Sequence, residues 1–376
     1  MNHVDWTPEQ IADYERAGHK KAISLDNRGP IQFASNGSLA PSIIKTYWKY
    51  GFYVLEGLIE PDELEDLRSD FQTVLNRAPA QRGSDLDKHG NPALASNIDR
   101  EIYRFRKPLS DPHGGTSQNQ SRYEVTMAEP DAPADAPENV ICNVGCHLQL
   151  MDASLRLYGH PQLLTVASEI NGPDFTPFTE SIIIKQPGLG PSVAWHQDGT
   201  RRWDHPEWDQ GTHGFNFMAQ LYCSTAANGV WVIPGSHKLG KLDIRKIKAE
   251  NGGTDRFADA VPMVASAGDV VVANRQVLHG SFANTSSDLR VTINFGFHRR
   301  SSVIGVKRED GAIYDEEHIK ARSRIIALAI DARRQRFPEE TSFVYKPLVD
   351  DPDDTTWNEQ TREQLLKNYQ LLDLPL

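Results

Sequence analysis

Apolar and polar residues alternate in short runs along the second half of the chain, over 179–185, 193–198, 216–223, 230–234, 269–273, 276–279 and 289–298. This periodicity of two predicts β-strands that turn one face toward a core. Turn-forming pairs separate them: Pro187-Gly188, Asn228-Gly229, Pro234-Gly235 and Gly268-Asp269. Many short strands at close spacing predict a mainly β fold with flanking helices, a jelly-roll or double-stranded β-helix (cupin-like) barrel. In the last strand Arg290, Thr292 and Asn294 share one face, and Val291, Ile293, Phe295 and Phe297 share the other. A polar interior with Arg290 at its mouth, and an apolar exterior covered by helices, is the expectation.

Helical patterns sit at the two ends. A short helix is expected over 8–21. A strand over 52–55 leads into a helix opened by Pro61, with acidic Asp62, Glu63 and Glu65 in its first turns and an apolar stripe of Leu64, Leu67, Phe71 and Val74. The stretch 161–170 begins on a proline and ends near Asn171-Gly172. A long helix over 315–337 carries Ile319, Ile326 and Ile330 on one stripe, has Arg333, Arg334 and Arg336 at its C-terminal end, and stops at Pro338. The tail TREQLLKNYQLLDL reads as a last short helix. From 77 to 139 the chain is rich in Pro, Gly, Ser, Asp and Asn, which marks either a functional lid or a mobile insertion. The expected organisation is one catalytic domain over 1–376, with an extension (1–49), a jelly-roll core (50–300) holding that insertion, and a C-terminal helical region (301–376).

Composition narrows the function classes. With 39% hydrophobic and 24% charged residues in 376, the chain is of ordinary globular make-up. A formal charge of −11 argues against a broad nucleic-acid footprint, which needs clustered Lys and Arg. No apolar run is long enough to span a membrane, and the start MNHVDWTPEQ lacks the apolar stretch of a secretory signal, so a cytoplasmic location is expected. Cys142, Cys146 and Cys223 are too few for a disulfide framework. Cys142, Cys146 and His147 have a zinc-like spacing, but no second ligand pair follows at finger spacing, and ordinary buried thiols are the better reading.

The candidate chemistry lies in SVAWHQDGT. On a strand, residues two apart point the same way, so His196 and Asp198 can grip one ion while Gln197 faces away. An imidazole with a carboxylate suits ferrous iron, and His279 in VLHGSF is the candidate third ligand. Two His and one carboxylate on one side of an iron leave positions open for a cosubstrate and oxygen. Arg290, one strand later, offers a planar fork of donors suited to a carboxylate.

Four segments in order, GFYVLEGLIEPDELEDLR, KQPGLGPSVAWHQD, NGVWVIPGSHK and AGDVVVANRQVLHGSFANTSSDLR, resemble the phytanoyl-CoA dioxygenase family of Fe(II)/2-oxoglutarate-dependent oxygenases. The likeness runs from about Tyr50 to Arg300 and leaves the segment before Asn139 unmatched. It implies iron held by His196, Asp198 and His279, and 2-oxoglutarate anchored by Arg290 with help from the Ser281 hydroxyl. It also implies consumption of O2 and release of succinate and CO2. Related halogenating enzymes replace the carboxylate ligand with a small residue, so Asp198 favours hydroxylation, while desaturation, epoxidation and ring formation stay open. Thr179 and Lys185, on one face of the strand before the iron motif, are candidates to reach the cosubstrate.

For the substrate, Trp195, Trp203 and Trp208 could form an aromatic wall. The loop RRWDHPEWDQGTH, with His205, is expected at the mouth as a substrate-facing lid. His237 in PGSHK is expected to be structural. The expected partner is a small or medium organic molecule, a secondary metabolite, lipid or acyl compound; oligomeric state is unreadable. Two rival classes fit parts of the pattern: a non-catalytic barrel that binds 2-oxoglutarate or metal, and a cupin-type metalloenzyme that needs no cosubstrate.

Overall fold

The computed structural model describes the chain except residues 1–5, 99, 199–213, 307–312, 352, 367–368 and 370–376, and the side chains of 119–120 and 178–179. Twelve strands among the described residues form two sheets. In chain order they are β1 (Arg28–Gly29), β2 (Phe52–Leu55), β3 (Tyr103–Arg106), β4 (Val140–Gly145), β5 (Phe175–Lys185), β6 (Val193–His196), β7 (Gly214–Gln220), β8 (Trp231–Val232), β9 (Val261–Pro262), β10 (Val270–Asn274), β11 (His279–Ser281) and β12 (Arg290–Arg299). The large sheet runs β1-β2-β10-β7-β12-β5-β4-β3 and the small one β6-β11-β8-β9. This is the expected jelly-roll, open rather than closed on itself, with the polar interior between the two sheets.

Strand β12 sits at the centre of the large sheet, paired antiparallel to β5 and β7 along most of its length. Its alternation works as expected. Val291, Ile293, Phe295 and Phe297 are buried in the main core with Phe215, Phe217, Ile182 and Ile184 from the neighbouring strands. Helices cover that face, each buried Leu, Ile or Phe contributing roughly 1.5–3 kcal/mol. They include Pro61–Asn76, through Leu64, Leu67, Phe71 and Val74, and Pro161–Asn171, through Leu163, Leu164 and Val166. The long helix Glu316–Arg336 is capped by Asp315, whose carboxylate accepts from the His318 N–H, as a sequence with a polar residue before an acidic first turn should be. It is buried on more sides than a single stripe: Ile319, Ile325, Ile326, Leu328 and Ala329 are all covered. Arg333 locks it to the rest through paired bonds to Glu63 and Glu340.

Sequence patterning missed the helix Pro41–Tyr50, which no side chain caps, and the hairpin of β3 and β4. Residues 103–106 are thus the edge of the large sheet, although they fall inside the segment read as an insertion. The expected strand over 276–279 instead starts at His279, because Asn274 Oδ1 accepts from the Gln276 N–H and holds the preceding residues in a turn.

Candidate functional site

The site forms where the small sheet faces β12 and β5. Strands β6 and β11 pair antiparallel with His279 opposite His196, so both imidazoles leave the same face of adjacent strands. Close approach is possible because residue 280 is glycine: a Cβ there would lie 3.1–3.2 Å from Trp195 atoms. The two rings lie 4.1 Å apart between centroids, and Asp198 Oδ1 lies 3.6 Å from His196 Nε2. One ligand atom from each of His196, Asp198 and His279 falls within 4.8 Å of the others, the one such metal-competent group among the described residues. Cys142, Cys146 and His147 form no such group.

Backbone carbonyls set the imidazole tautomers. His196 Nδ1 lies 2.8 Å from the Ala194 oxygen and His279 Nδ1 2.9 Å from the Val277 oxygen. A carbonyl only accepts, so each Nδ1 carries its proton and each Nε2 presents a lone pair inward. Burial, then His279 and Arg122, push the His196 pKa well down, which keeps that lone pair available. Burial alone would raise the Asp198 carboxyl, but Arg122 and Arg275 outweigh it and hold the group well below the usual carboxylate range. The centre therefore sets a neutral His196 imidazole beside the Asp198 anion. Gln197 faces away as expected, its amide bonding the Gly240 and Gln276 carbonyls and the Leu242 N–H.

Arg290 is buried, its Nη1 donating to the Asn228 carbonyl at 3.1 Å while Nε has no hydrogen-bond partner among the described residues. Burial lowers its pKa to about 10, which still leaves a cation at neutral pH. Lys185 lies directly opposite it across β5 and β12. Lys185 Nζ donates to the Pro191 and Phe282 carbonyls, and burial followed by Arg290 pushes its pKa well down. Arg290 and Lys185, facing each other across β12 and β5, make a buried donor cradle suited to an anion. Ser281 is buried on β11, two residues past His279. Thr179 is in β5, but its side chain lies outside the described ones.

The aromatic wall needs correction at Trp195. Strand parity turns Trp195 away from His196: it is fully buried against Phe257 and Phe282 and donates through Nε1 to the Asp255 carbonyl. Trp203, His205 and Trp208 lie outside the described residues. His237 is structural as read, bonding the Trp48 carbonyl through Nε2 at 3.2 Å.

Three site residues escaped sequence reasoning: Arg122, Tyr123 and Arg275. Arg122 Nη1 donates to Asp198 Oδ1 at 2.8 Å, and the ring of Tyr123 lies 4.6 Å from that of His196. Arg275 Nε lies 3.9 Å from Asp198 Oδ2. A signal was present for two of them: Tyr123, Val125 and Met127 alternate as buried positions in SRYEVTM, and Arg275 interrupts the apolar run before His279.

The fold and this constellation define a jelly-roll protein with a facial His-Asp-His centre. The phytanoyl-CoA dioxygenase (PhyH) family model matches residues 47–292, and the chain belongs to that family. Among relatives, it is 26% identical over 264 residues to a phytanoyl-CoA dioxygenase of Arabidopsis thaliana, covering 68% of this chain and 87% of the relative. It is 24% identical over 273 residues to phytanoyl-CoA dioxygenase domain-containing protein 1 of Bos taurus, covering 68% and 89%. Similar solved structures include EctD from S. alaskensis with bound Fe (TM-score 0.49, 17% identity, 76% of this chain and 89% of that one) and the non-heme alpha ketoglutarate dependent carbocyclase SnoK (TM-score 0.46, 16% identity, 72% and 87%). The donor set, with two Nε2 lone pairs and one carboxylate, and a buried guanidinium on β12, fits Fe(II), 2-oxoglutarate and O2. No described helix is long and apolar enough to cross a membrane.

Proposed function

We propose that this protein is an Fe(II)- and 2-oxoglutarate-dependent dioxygenase that hydroxylates a small or medium organic molecule, a secondary metabolite, lipid or acyl compound. The observation that carries this reading is the convergence of His196, Asp198 and His279 within 4.8 Å, together with a buried Arg290 whose Nε has no hydrogen-bond partner among the described residues. His196, Asp198 and His279 are the residues that would hold the iron, and Arg290 the one that receives the far carboxylate of 2-oxoglutarate. When bound, the iron with 2-oxoglutarate and O2 supplies an oxidant that takes hydrogen from an unactivated carbon, with release of succinate and CO2.

The chain's own residues do the rest. The backbone carbonyls of Ala194 and Val277 orient the imidazoles; Arg290 fixes the direction of the diacid; Ser281 and Lys185 line the same interior, and Thr179 is on the strand that carries Lys185. Asp198 occupies the position that a halide would need, which favours hydroxylation over halogenation. Tyr123 covers His196, and His113 stacks on Tyr123 with centroids 5.0 Å apart, shielding one side of the centre from water.

Aerobic incubation with Fe(II), 2-oxoglutarate and panels of candidate substrates tests the reading. Succinate is expected from the wild type and not from His196→Ala or Asp198→Ala. Succinate formation that survives both substitutions refutes it.

A further inference from the structure

The segment from Asp111 to Met127 touches two of the three residues assigned to the metal. Arg122 Nη1 bonds Asp198 Oδ1 at 2.8 Å and its Nη2 bonds the Tyr123 hydroxyl at 2.7 Å. The guanidinium also lies over the Tyr123 ring, 4.9 Å from its centroid, and that ring faces His196. Several contacts pin the segment in place. The Asp111 carboxylate accepts from the Gly114 and Met127 N–H groups, Lys248 donates to the Thr126 carbonyl, and the Ala128 N–H donates to Asp255. Tyr123, Val125 and Met127 are buried in the apolar cluster that holds Trp195 and Trp231. Arg122 is thus presented from a fixed support.

Asp198 needs such a partner. It lies past the end of β6, tied to the fold by its N–H bond to the Arg275 carbonyl at 2.9 Å, so no ladder fixes its carboxylate. Arg275 Nε stands 3.9 Å from Asp198 Oδ2, beyond hydrogen-bonding distance, and contributes charge. Among the described residues Arg122 is the hydrogen-bond donor to that carboxylate. The geometry points to Arg122 as a positioning residue for the carboxylate ligand, and to residues 111–127 as a cap that completes the metal centre. This inference rests on the iron-site reading above.

Two effects oppose each other, and their signs differ. A hydrogen bond that orients a ligating carboxylate raises metal affinity, and its loss lowers affinity about 10–100-fold. The charge of the guanidinium alone repels the ion, so its removal would raise affinity. Coupling is also reciprocal: if the cap favours the ion, the ion steadies the cap.

Anaerobic titration of the full chain with Co(II), followed by the visible d–d absorption of the bound ion, reads affinity and ligand geometry without turnover. Arg122→Ala should bind Co(II) about 10–100-fold more weakly with an altered band, and Arg122→Lys should recover part of the loss. Arg82→Ala, at an exposed position upstream of the cap, should bind as the wild type does. Backbone amides of 111–127 should exchange more slowly with Co(II) bound in the wild type and lose that response in Arg122→Ala. Unchanged or tighter binding by Arg122→Ala, or faster exchange of the segment with Co(II), overturns the proposal. His196→Ala separates the two levels. If it loses Co(II) while Arg122→Ala keeps it, only the cap fails; if it binds as the wild type does, the underlying metal reading fails.

Discussion

At the scale of single residues, Arg290 carries the argument for a cosubstrate. A buried cation with one carbonyl partner and an unbonded Nε is costly unless an anion joins it. Arg290→Ala should raise the 2-oxoglutarate KM or Kd by about tenfold to a hundredfold, the worth of a charge-assisted bond of roughly 1.5–3 kcal/mol. Arg290→Lys should recover only part, since an ammonium lacks the planar fork. Binding assays with 2-oxoglutarate check this, and an unchanged affinity in Arg290→Ala would favour the cupin-type alternative. The grouping of His196, Asp198 and His279 was legible because the first two stand two residues apart and the family likeness points to the third, although Asp198 itself lies past the end of β6. Trp195 was misplaced for the same reason in reverse: it stands one residue from His196 and so faces the opposite side. The partnership of Arg122 with Asp198 spans 76 residues and an irregular loop, so no local period encodes it.

At the scale of elements, legibility followed the strength of the periodic signal. Strand β2 and the helices opened by Pro61 and Pro161 begin where sequence places them; for the helices the fixed φ of proline, joined at Pro61 by an acidic first turn, acts locally. Strand β12 was readable from its ten alternating residues. The helix Pro41–Tyr50 was not, since its N-terminal Ala40 offers no capping side chain, and β3 is only four residues long within a polar stretch. Tertiary pairing, rather than local preference, defines β3, through its bonds to β4. The alternation in β12 also gives a stability prediction. Ile293 is fully buried in the main core, so Ile293→Ala should lower unfolding free energy by about 2–5 kcal/mol in urea titration. A change under about 1 kcal/mol would mean that the outer face of β12 is not packed as described.

At the scale of the whole molecule, the chain is acidic overall yet sets Arg122 and Arg275 against the Asp198 carboxylate and pairs Arg290 with Lys185 across β12 and β5 in its interior. Basic groups gathered in the interior of an acidic chain suit a site for small anions. Buried histidines give the molecule its acid limit. Burial and then Lys238 push the His237 pKa down to about 4, against about 6.5 in an unfolded chain. The unfolded state therefore binds more protons between these values, and stability present above pH 6.5 is lost as pH falls toward 4. From this group alone the protein should be about 2 kcal/mol less stable at pH 5 than at pH 7. Denaturant titrations at both pH values check it, and His237→Asn should flatten the difference; an equal slope in that variant would contradict the assignment.

The central claim is that one centre holds both a ferrous ion and 2-oxoglutarate, and anaerobic titration tests it without a substrate. Protein mixed with Fe(II) and then 2-oxoglutarate should develop the visible charge-transfer absorption of a keto acid chelated to iron. Asp198→Ala and His279→Ala should abolish it, and Arg290→Ala should move it to higher 2-oxoglutarate concentration. Absence of the band in the wild type, or its persistence in both ligand variants, would contradict the account.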